Sequence, residues 1–300
     1  KANLMCWKNN TVVSEFILLG LSKNIIILIG NILIITVTTT EKSLQTPMYF
    51  FLTNLSIMDI CVSTTIVPRM LKDLLSEKKV ISYVECAAQM YISLSLGECE
   101  CILLAIMAND RYIAICYPLH YINIINRSVC IKISVGTWLC GFILSISHIA
   151  LTLHVNLCGH NEINHFICEV PELLSLGCEN ITFIEFVIFI VGVIILIIPV
   201  IFICVSYVEI IVNILKISSS EGQRRAFSTC GSHLIVVTLF YAMAAYMKPR
   251  SFSSPNTDKI VTVFYFIITP MLNPMIYTLR NKEVITALKK IVMQGFEAPV

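Results

Sequence analysis

Long apolar runs, separated by short polar stretches, dominate this chain. Seven of them are long enough to consider as membrane spans: roughly Asn24–Thr38, Met48–Leu71, Ala87–Ala108, Val129–Leu153, Ile181–Ile211, Ala226–Met247 and Ile260–Leu279. A helix crossing about 30 Å of hydrocarbon needs about 20 apolar residues at 1.5 Å each. In lipid every backbone polar group must be satisfied within its own segment, so such runs predict helices. Most connections are short; the exception is 154–180, "HVNLCGHNEINHFICEVPELLSLGCEN". The first run is also the weakest. Its clean apolar part, Ile25–Val37, has 13 residues, which make only about 20 Å of helix. Extending it upstream through "FILLGLS" would put Lys23 and Asn24 inside the membrane. A shortened first helix is therefore expected. Beyond the last run, "RNKEVITALKKIVMQGF" places Val284, Leu288 and Ile291 at helical spacing beside Lys289 and Lys290. That pattern predicts a short amphipathic helix on the inner leaflet. The expected class is an all-α membrane protein, a seven-helix bundle with an amphipathic C-terminal helix.

Composition supports the bilayer as solvent. Of 300 residues, 57% are hydrophobic and only 13% charged, too few charges for a water-facing surface. A net charge of +2 points to no nucleic-acid partner. The opening "KANLMCWKNNTVVSEF" lacks the pattern of a cleavable signal peptide, so the first apolar run is expected to act as the targeting signal. It carries a glycosylation sequon at Asn9.

Charge does not orient the chain. With the N-terminus outside, 11 of the 21 Lys and Arg lie on the inner side and 10 on the outer, a negligible bias. Sequons are divided as well: Asn9 and Asn180 share a face, Asn126 lies on the other, and Asn54 falls within a span. Cysteine is more informative. Of 13 cysteines, Cys158, Cys168 and Cys178 share the long loop, and Cys86 opens the third run on the same face. Four thiols gathered on one face suit an oxidising compartment, with three pairings open. This arrangement divides the chain into an extracellular segment 1–23, a seven-helix domain 24–281 and a cytoplasmic helix and tail 282–300. His154, His160 and His165 share the loop, but their spacing matches no standard metal motif and disulfides would consume the thiolates, so no metal is expected.

Ionisable groups inside spans are costly and read first as functional. Asp59 lies in the second run, and Glu98 and Glu100 in the third. Asp110 and Arg111 close the third run in "MANDRYIAICYPLHY". Glu98 and Glu100 are two residues apart, hence about 200° around a helix, and cannot face the same neighbour. Two readings of Glu98 stand: an uncharged acid bonded to a backbone carbonyl, or a polar anchor in an apolar pocket. The carboxylates would also suit an ion path, so a transporter or channel is an alternative. Against it, seven spans make no even pair of repeats. No hydrolase or metalloprotease motif is present, and nothing nucleophilic is placed beside His148, so the chain is not expected to be an enzyme.

Four strings narrow the class. "TPMYFFLTNLSIMDIC", "MANDRYIAICYPLHY", "SSSEGQRRAFSTCGSHLIVVTLFY" and "PMLNPMIYTLRNKEV" resemble, in order, the signatures of vertebrate odorant receptors, a branch of the rhodopsin-like G-protein-coupled receptors. The resemblance spans essentially residues 10–293. It implies a Cys86–Cys168 disulfide and suggests a second between Cys158 and Cys178. It implies a ligand pocket lined by Ser93, Leu94, Gly97, Glu98, Val191, Ile195, Tyr241 and Ala245. It implies a switch made of Asp110, Arg111, Tyr112, Tyr207, Asn273, Pro274 and Tyr277. Asp59, Glu100 and Asn273 would form a polar cluster able to take Na⁺. The expected ligand is a small volatile organic molecule of ~10–15 heavy atoms, bound at micromolar strength or weaker. The expected partner is a heterotrimeric G protein of the stimulatory, cAMP-raising olfactory class. The expected location is the plasma membrane, specifically olfactory-neuron cilia. Three departures stand out. Asn109 replaces a usual Tyr, Ala242 a usual Gly, and the stretch between "FILLGLS" and Gly30-Asn31 is short. The last of these leaves a receptor relic as an alternative.

Overall fold

The computed structural model describes residues 19–76, 79–157, 161–178, 181–246, 255–279 and 284–290. Among the described residues, seven long helical rods cross the molecule. They are α1 (Leu19–Thr40), α2 (Pro47–Leu75), α3 (Tyr83–Cys116), α5 (Arg127–Leu153), α7 (Thr182–Leu215), α8 (Ser220–Tyr246) and a composite seventh rod. The seventh runs through α9 (Pro255–Val263), a π-helical segment (Phe264–Ile268) and α10 (Thr269–Leu279). Short helices α4 (Tyr121–Ile124) and α6 (Val170–Leu174) lie in the connections. A further helix, α11, covers residues 284–290.

The first helix starts earlier than the apolar run suggests. It has 22 residues, about 33 Å at 1.5 Å per residue, and its backbone carries Lys23 and Asn24. The cost of leaving backbone groups unpaired in lipid outweighs that of two polar residues near a helix end. Among the described residues it is the shortest of the continuous rods: α2 has 29 residues, and α3 and α7 have 34 each. Its inner face is the stripe Ile27, Asn31, Ile34 and Thr38, all buried, while Ile26, Ile29 and Ile32 point outward. Asn31 Nδ2 donates to the Ile27 carbonyl at 3.1 Å and to the Pro270 carbonyl at 3.3 Å, tying α1 to the seventh rod.

α3 forms the axis of the bundle, packing against α2, α5 and α7. Its start is fixed by a capping box. Ser82 Oγ accepts from the Glu85 N–H, and the Glu85 carboxylate accepts from the Ser82 N–H, satisfying two otherwise orphaned donors. α7 shows most of its large residues, among them Phe183, Phe186, Ile201 and Phe202, to the outside. An apolar exterior of this extent is a lipid face. Two sequons have structural jobs. Asn126 caps α5 by accepting from the Val129 N–H at 3.1 Å. Asn54 accepts from Trp138 Nε1 at 3.2 Å, bridging α2 and α5. Asn9 and Asn180 lie outside the described residues.

The α3–α5 contact is close because its residues are small, as expected where lipid gives helices no hydrophobic drive to associate. Ser95 Oγ and Ser145 Oγ are 2.6 Å apart. A Cβ at Gly141 would sit 3.0 Å from the Ser95 carbonyl oxygen and the Cys99 backbone nitrogen. Backbone cannot yield as a side chain can, so Gly141→Val must push α5 away from α3. The expected result is a loss of about 2–3 kcal/mol, read as a lower melting temperature in detergent and poor delivery to the cell surface. Normal delivery and melting of Gly141→Val would contradict this packing.

α11 differs from a helix that merely lies on the leaflet. Val284 and Ala287 are buried and join the main core, Leu288 packs beside them, and Lys290 Nζ pairs with Glu41 Oε1 at 2.8 Å. Its apolar face therefore closes the bundle's end. Ile291, also expected on that face, lies outside the described residues.

Candidate functional site

Cys86 at the top of α3 is bonded to Cys168 in the long loop, one of the pairings the sequence left open. The Cys168 N–H also donates to Gln89 Oε1 at 3.0 Å. Leu157 and Gly177 form a lone antiparallel bridge within the loop. Cys178 is disulfide-bonded as well; Cys158 lies outside the described residues. These ties lay residues 167–171 across the end of the bundle as a roof.

Beneath the roof is a cavity of about 180 Å³. Its walls come from α3 (Ser93, Leu94, Gly97, Glu98, Cys101), α5 (His148), α7 (Gly192, Ile195), α8 (Phe240) and the π segment (Tyr265, Phe266). An apolar cavity of about 150 Å³ is enough to take up benzene, so this one suits a small organic molecule. Ser93, Leu94, Gly97, Glu98 and Ile195, named above for a pocket, are on its wall. Val191 and Tyr241 are not; their neighbours Gly192 and Phe240 are. Tyr241 Oη instead donates to the Cys101 carbonyl at 3.1 Å. One residue along a helix is a 100° turn, which is why neighbours exchange places so readily. No side-chain position is described for Ala245.

The cavity wall is largely apolar. Its polar members are Glu98 and His148, which meet, together with Ser93, Glu169 and Tyr265. Ser93 Oγ is buried with no hydrogen-bond partner among the described residues. Glu98 Oε1 lies 3.3 Å from His148 Nδ1, and each side chain is only 6% exposed. Sequence reasoning noted both residues but did not join them. They sit 50 positions apart on two helices, and the face of α5 that meets α3 follows from its small residues, a signal visible only once that contact is drawn.

A second polar cluster lies deeper, at mid-bundle. Asn273 Nδ2 donates to both Asp59 oxygens, at 3.2 and 3.0 Å. The Asp59 and Glu100 carboxyls are neighbours in this cluster, and two carboxyls can bond to each other only with a proton between them. Tyr265 Oη donates to Glu100 Oε2 at 3.5 Å. Tyr265 thus touches both this cluster and the cavity. Pro274 lies inside α10, where it removes a backbone donor, and packs 3.2 Å from the Cβ position of Gly30 on α1.

At the opposite end, Asp110 is buried and accepts from Tyr121 Oη of α4 at 2.9 Å. Burial and the Asp110 carboxylate push the Tyr121 phenol well above its ordinary range, so it stays a donor. Arg111 lies within electrostatic reach of Tyr207, His233 and Tyr277. Tyr207 Oη and His233 Nδ1 are 2.7 Å apart with their rings stacked at 15°. His233 had no assigned role, although a histidine within an apolar run is itself a signal. Tyr112 meets Tyr117 edge-on. Asn109 is exposed, turned away from the groups around Asp110 and Arg111.

Comparison with known proteins agrees with the four sequence strings. The family model described as "Olfactory receptor" matches residues 22–295. Olfactory receptor 2B2 of Homo sapiens is 48% identical over 97% of this chain and 86% of its own length. Olfactory receptor 10A7 of Homo sapiens is 44% identical over 97% of each chain. Olfactory receptor 2B6 of Mus musculus is 46% identical over 97% of this chain and 99% of its own. The match to 2B2 extends over 308 positions although only 97% of these 300 residues take part. The relative therefore has residues without a counterpart here.

Proposed function

We propose a reading from one premise: the chain belongs to the olfactory receptor family. It is a multi-pass membrane receptor of the G-protein-coupled class and not an enzyme. Its ligands are small odorants, and we place their site in the roofed cavity. The observation that carries this placement is a largely apolar cavity between α3, α5, α7 and α8 with a few polar groups in its wall, the Glu98–His148 pair and Ser93 among them. Ligand pockets combine an apolar lining with a few placed polar groups in this way.

In this reading, Ser93, Leu94, Gly97, Glu98 and Ile195 contact the odorant, and the N-terminus and the roof face outside. Asp110, Arg111, Tyr112, Tyr207, Asn273, Pro274 and Tyr277 serve the inner switch. An odorant moves the equilibrium between resting and active bundles only as far as its affinity differs between them. Tyr265, touching both the cavity and the Asp59–Glu100 cluster, is the natural link between the two ends. Proton or Na⁺ occupancy at that cluster would bias the same equilibrium. The partner is a stimulatory, cAMP-raising G protein, and the destination is the ciliary membrane of olfactory neurons.

Gly192 supplies the test. It lines the cavity, and a Cβ there would meet nothing within 4 Å. Gly192→Leu should therefore fold and reach the surface, yet fill the ligand's space. Expected is at least a tenfold rise in the odorant concentration needed for half-maximal cAMP, with Val191→Leu unchanged. Equal responses from Gly192→Leu and the parent would place the ligand elsewhere.

A further inference from the structure

We infer that the ligand must bring a hydrogen-bond donor: an apolar body carrying an alcohol O–H or an ammonium N–H that caps Glu98. This rests on the odorant-pocket reading above and narrows its ligand class. The argument starts from the two carboxylate oxygens. Oε1 faces the imidazole of His148 at 3.3 Å. Oε2 is buried and, among the described residues, has no hydrogen-bond partner. Both residues line the cavity, so the unmet lone pairs belong to a side chain that borders the ligand's space.

Each member of the pair has its part. A carboxylate alone in an apolar cavity would take up a proton and become a donor itself. Here His148 Nδ1 faces Oε1, so a proton held between those two atoms, on either one, leaves Oε2 an acceptor. An acceptor without a partner rejects another acceptor and rewards a donor. Ketones, ethers and esters of the same shape offer Oε2 nothing. The Ser93 hydroxyl, on the same wall and without a hydrogen-bond partner among the described residues, can donate to their oxygen but still leaves Oε2 unpaired. Cys101 Sγ is engaged with Tyr241 Oη at 3.1 Å, and Tyr265 Oη is directed to Glu100. Alcohol and amine are the two forms of this donor chemistry. An amine adds charge, which the pair accommodates by giving up its proton.

The test uses matched sets of molecules with linear, cyclic and aromatic bodies of about six to ten heavy atoms. Each set contains the alcohol, the amine, the ketone and the methyl ether. Two readouts are taken on the full chain: cAMP in cells at matched surface density, and thermal shift of purified receptor. Expected for at least one body is a donor form acting at a concentration at least tenfold below its ketone and ether. Glu98→Leu should erase that ranking while apolar analogues still act. His148→Phe should narrow it for alcohols, since nothing then holds the proton at Oε1. If the alcohols carry the preference, the pair keeps its proton; if the amines do, it yields it. A parent that binds all four forms of a body alike overturns this inference and leaves the pocket standing. So does a ranking that persists in Glu98→Leu. A parent in which no molecule of any set shifts melting or raises cAMP overturns the pocket reading, and this inference with it.

Discussion

Replacing Arg111 by alanine is expected to abolish odorant-driven cAMP without emptying the cell surface of receptor. The reason lies in what surrounds the guanidinium. One oxygen of Asp110, its sequence neighbour, is engaged by Tyr121, so Arg111 shares that carboxylate. Its charge is also felt at Tyr207 on α7, His233 on α8 and Tyr277 on α10, at the end of the bundle opposite the cavity. In the proposed switch, an outward move of α8 would let those hydroxyls and a G-protein helix compete for the same five N–H donors. Two charge-assisted bonds at about 1.5–3 kcal/mol each amount to roughly a hundredfold or more in the active population. Arg111→Lys keeps the charge but not the fork and should retain a small part of the response. The measurement is a dose–response curve at matched surface staining. An Arg111→Ala receptor that responds like the parent would remove the switch from this position.

The second large effect is expected at the roof. The Cys86–Cys168 bond closes a loop of 82 residues, and loop-closure entropy puts its contribution at about 4–5 kcal/mol. That rivals the whole net stability of many domains. Cys168→Ser should leave most of the receptor inside the cell and unresponsive to odorant. Cys86→Ser should do the same, and the double substitution should cost no more than either single one, because both remove the same bond. Gln89→Leu removes only the 3.0 Å support to the Cys168 N–H and should have a far milder effect. Surface staining and dose–response curves for the four variants decide it. Normal delivery and response of Cys168→Ser would mean that the roof holds without its covalent tie.

Much of this architecture can be read from apolar runs, because backbone pairing in lipid leaves few alternatives to helices. The start of α1 could not, since Lys23 and Asn24 interrupt the apolar run while the backbone helix continues through them. The loop–α3 disulfide was legible only as a set of thiols on one face; its pairing came from resemblance. The cavity-lining residues on α3, Ser93, Leu94, Gly97 and Glu98, were named from the resemblance; the sequence itself showed only that Glu98 and Glu100 face different ways. On α7 and α8 the polar marks, Tyr207 and His233, lie far along the helix from the cavity, and Gly192 and Phe240 stand where Val191 and Tyr241 were expected. The Glu98–His148 pair depends on a contact between two helices, made close by Gly141 and Ser145, which no local pattern reports. The apolar face of α11 was visible in its spacing, but not that Val284 and Ala287 would find the bundle rather than lipid.

The account's central claim is that odorant occupies the roofed cavity, and a thiol placed on its wall tests that most directly. Gly192→Cys introduces one where a side chain has room. Its rate of modification by a small methanethiosulfonate reagent can be followed by peptide mass spectrometry, with part-exposed Cys116 at the far end of α3 as internal control. With an activating odorant at about ten times its dissociation constant, modification at position 192 should slow about tenfold, while Cys116 reacts as before. An unchanged rate at position 192 in the presence of an odorant that still activates would contradict the account.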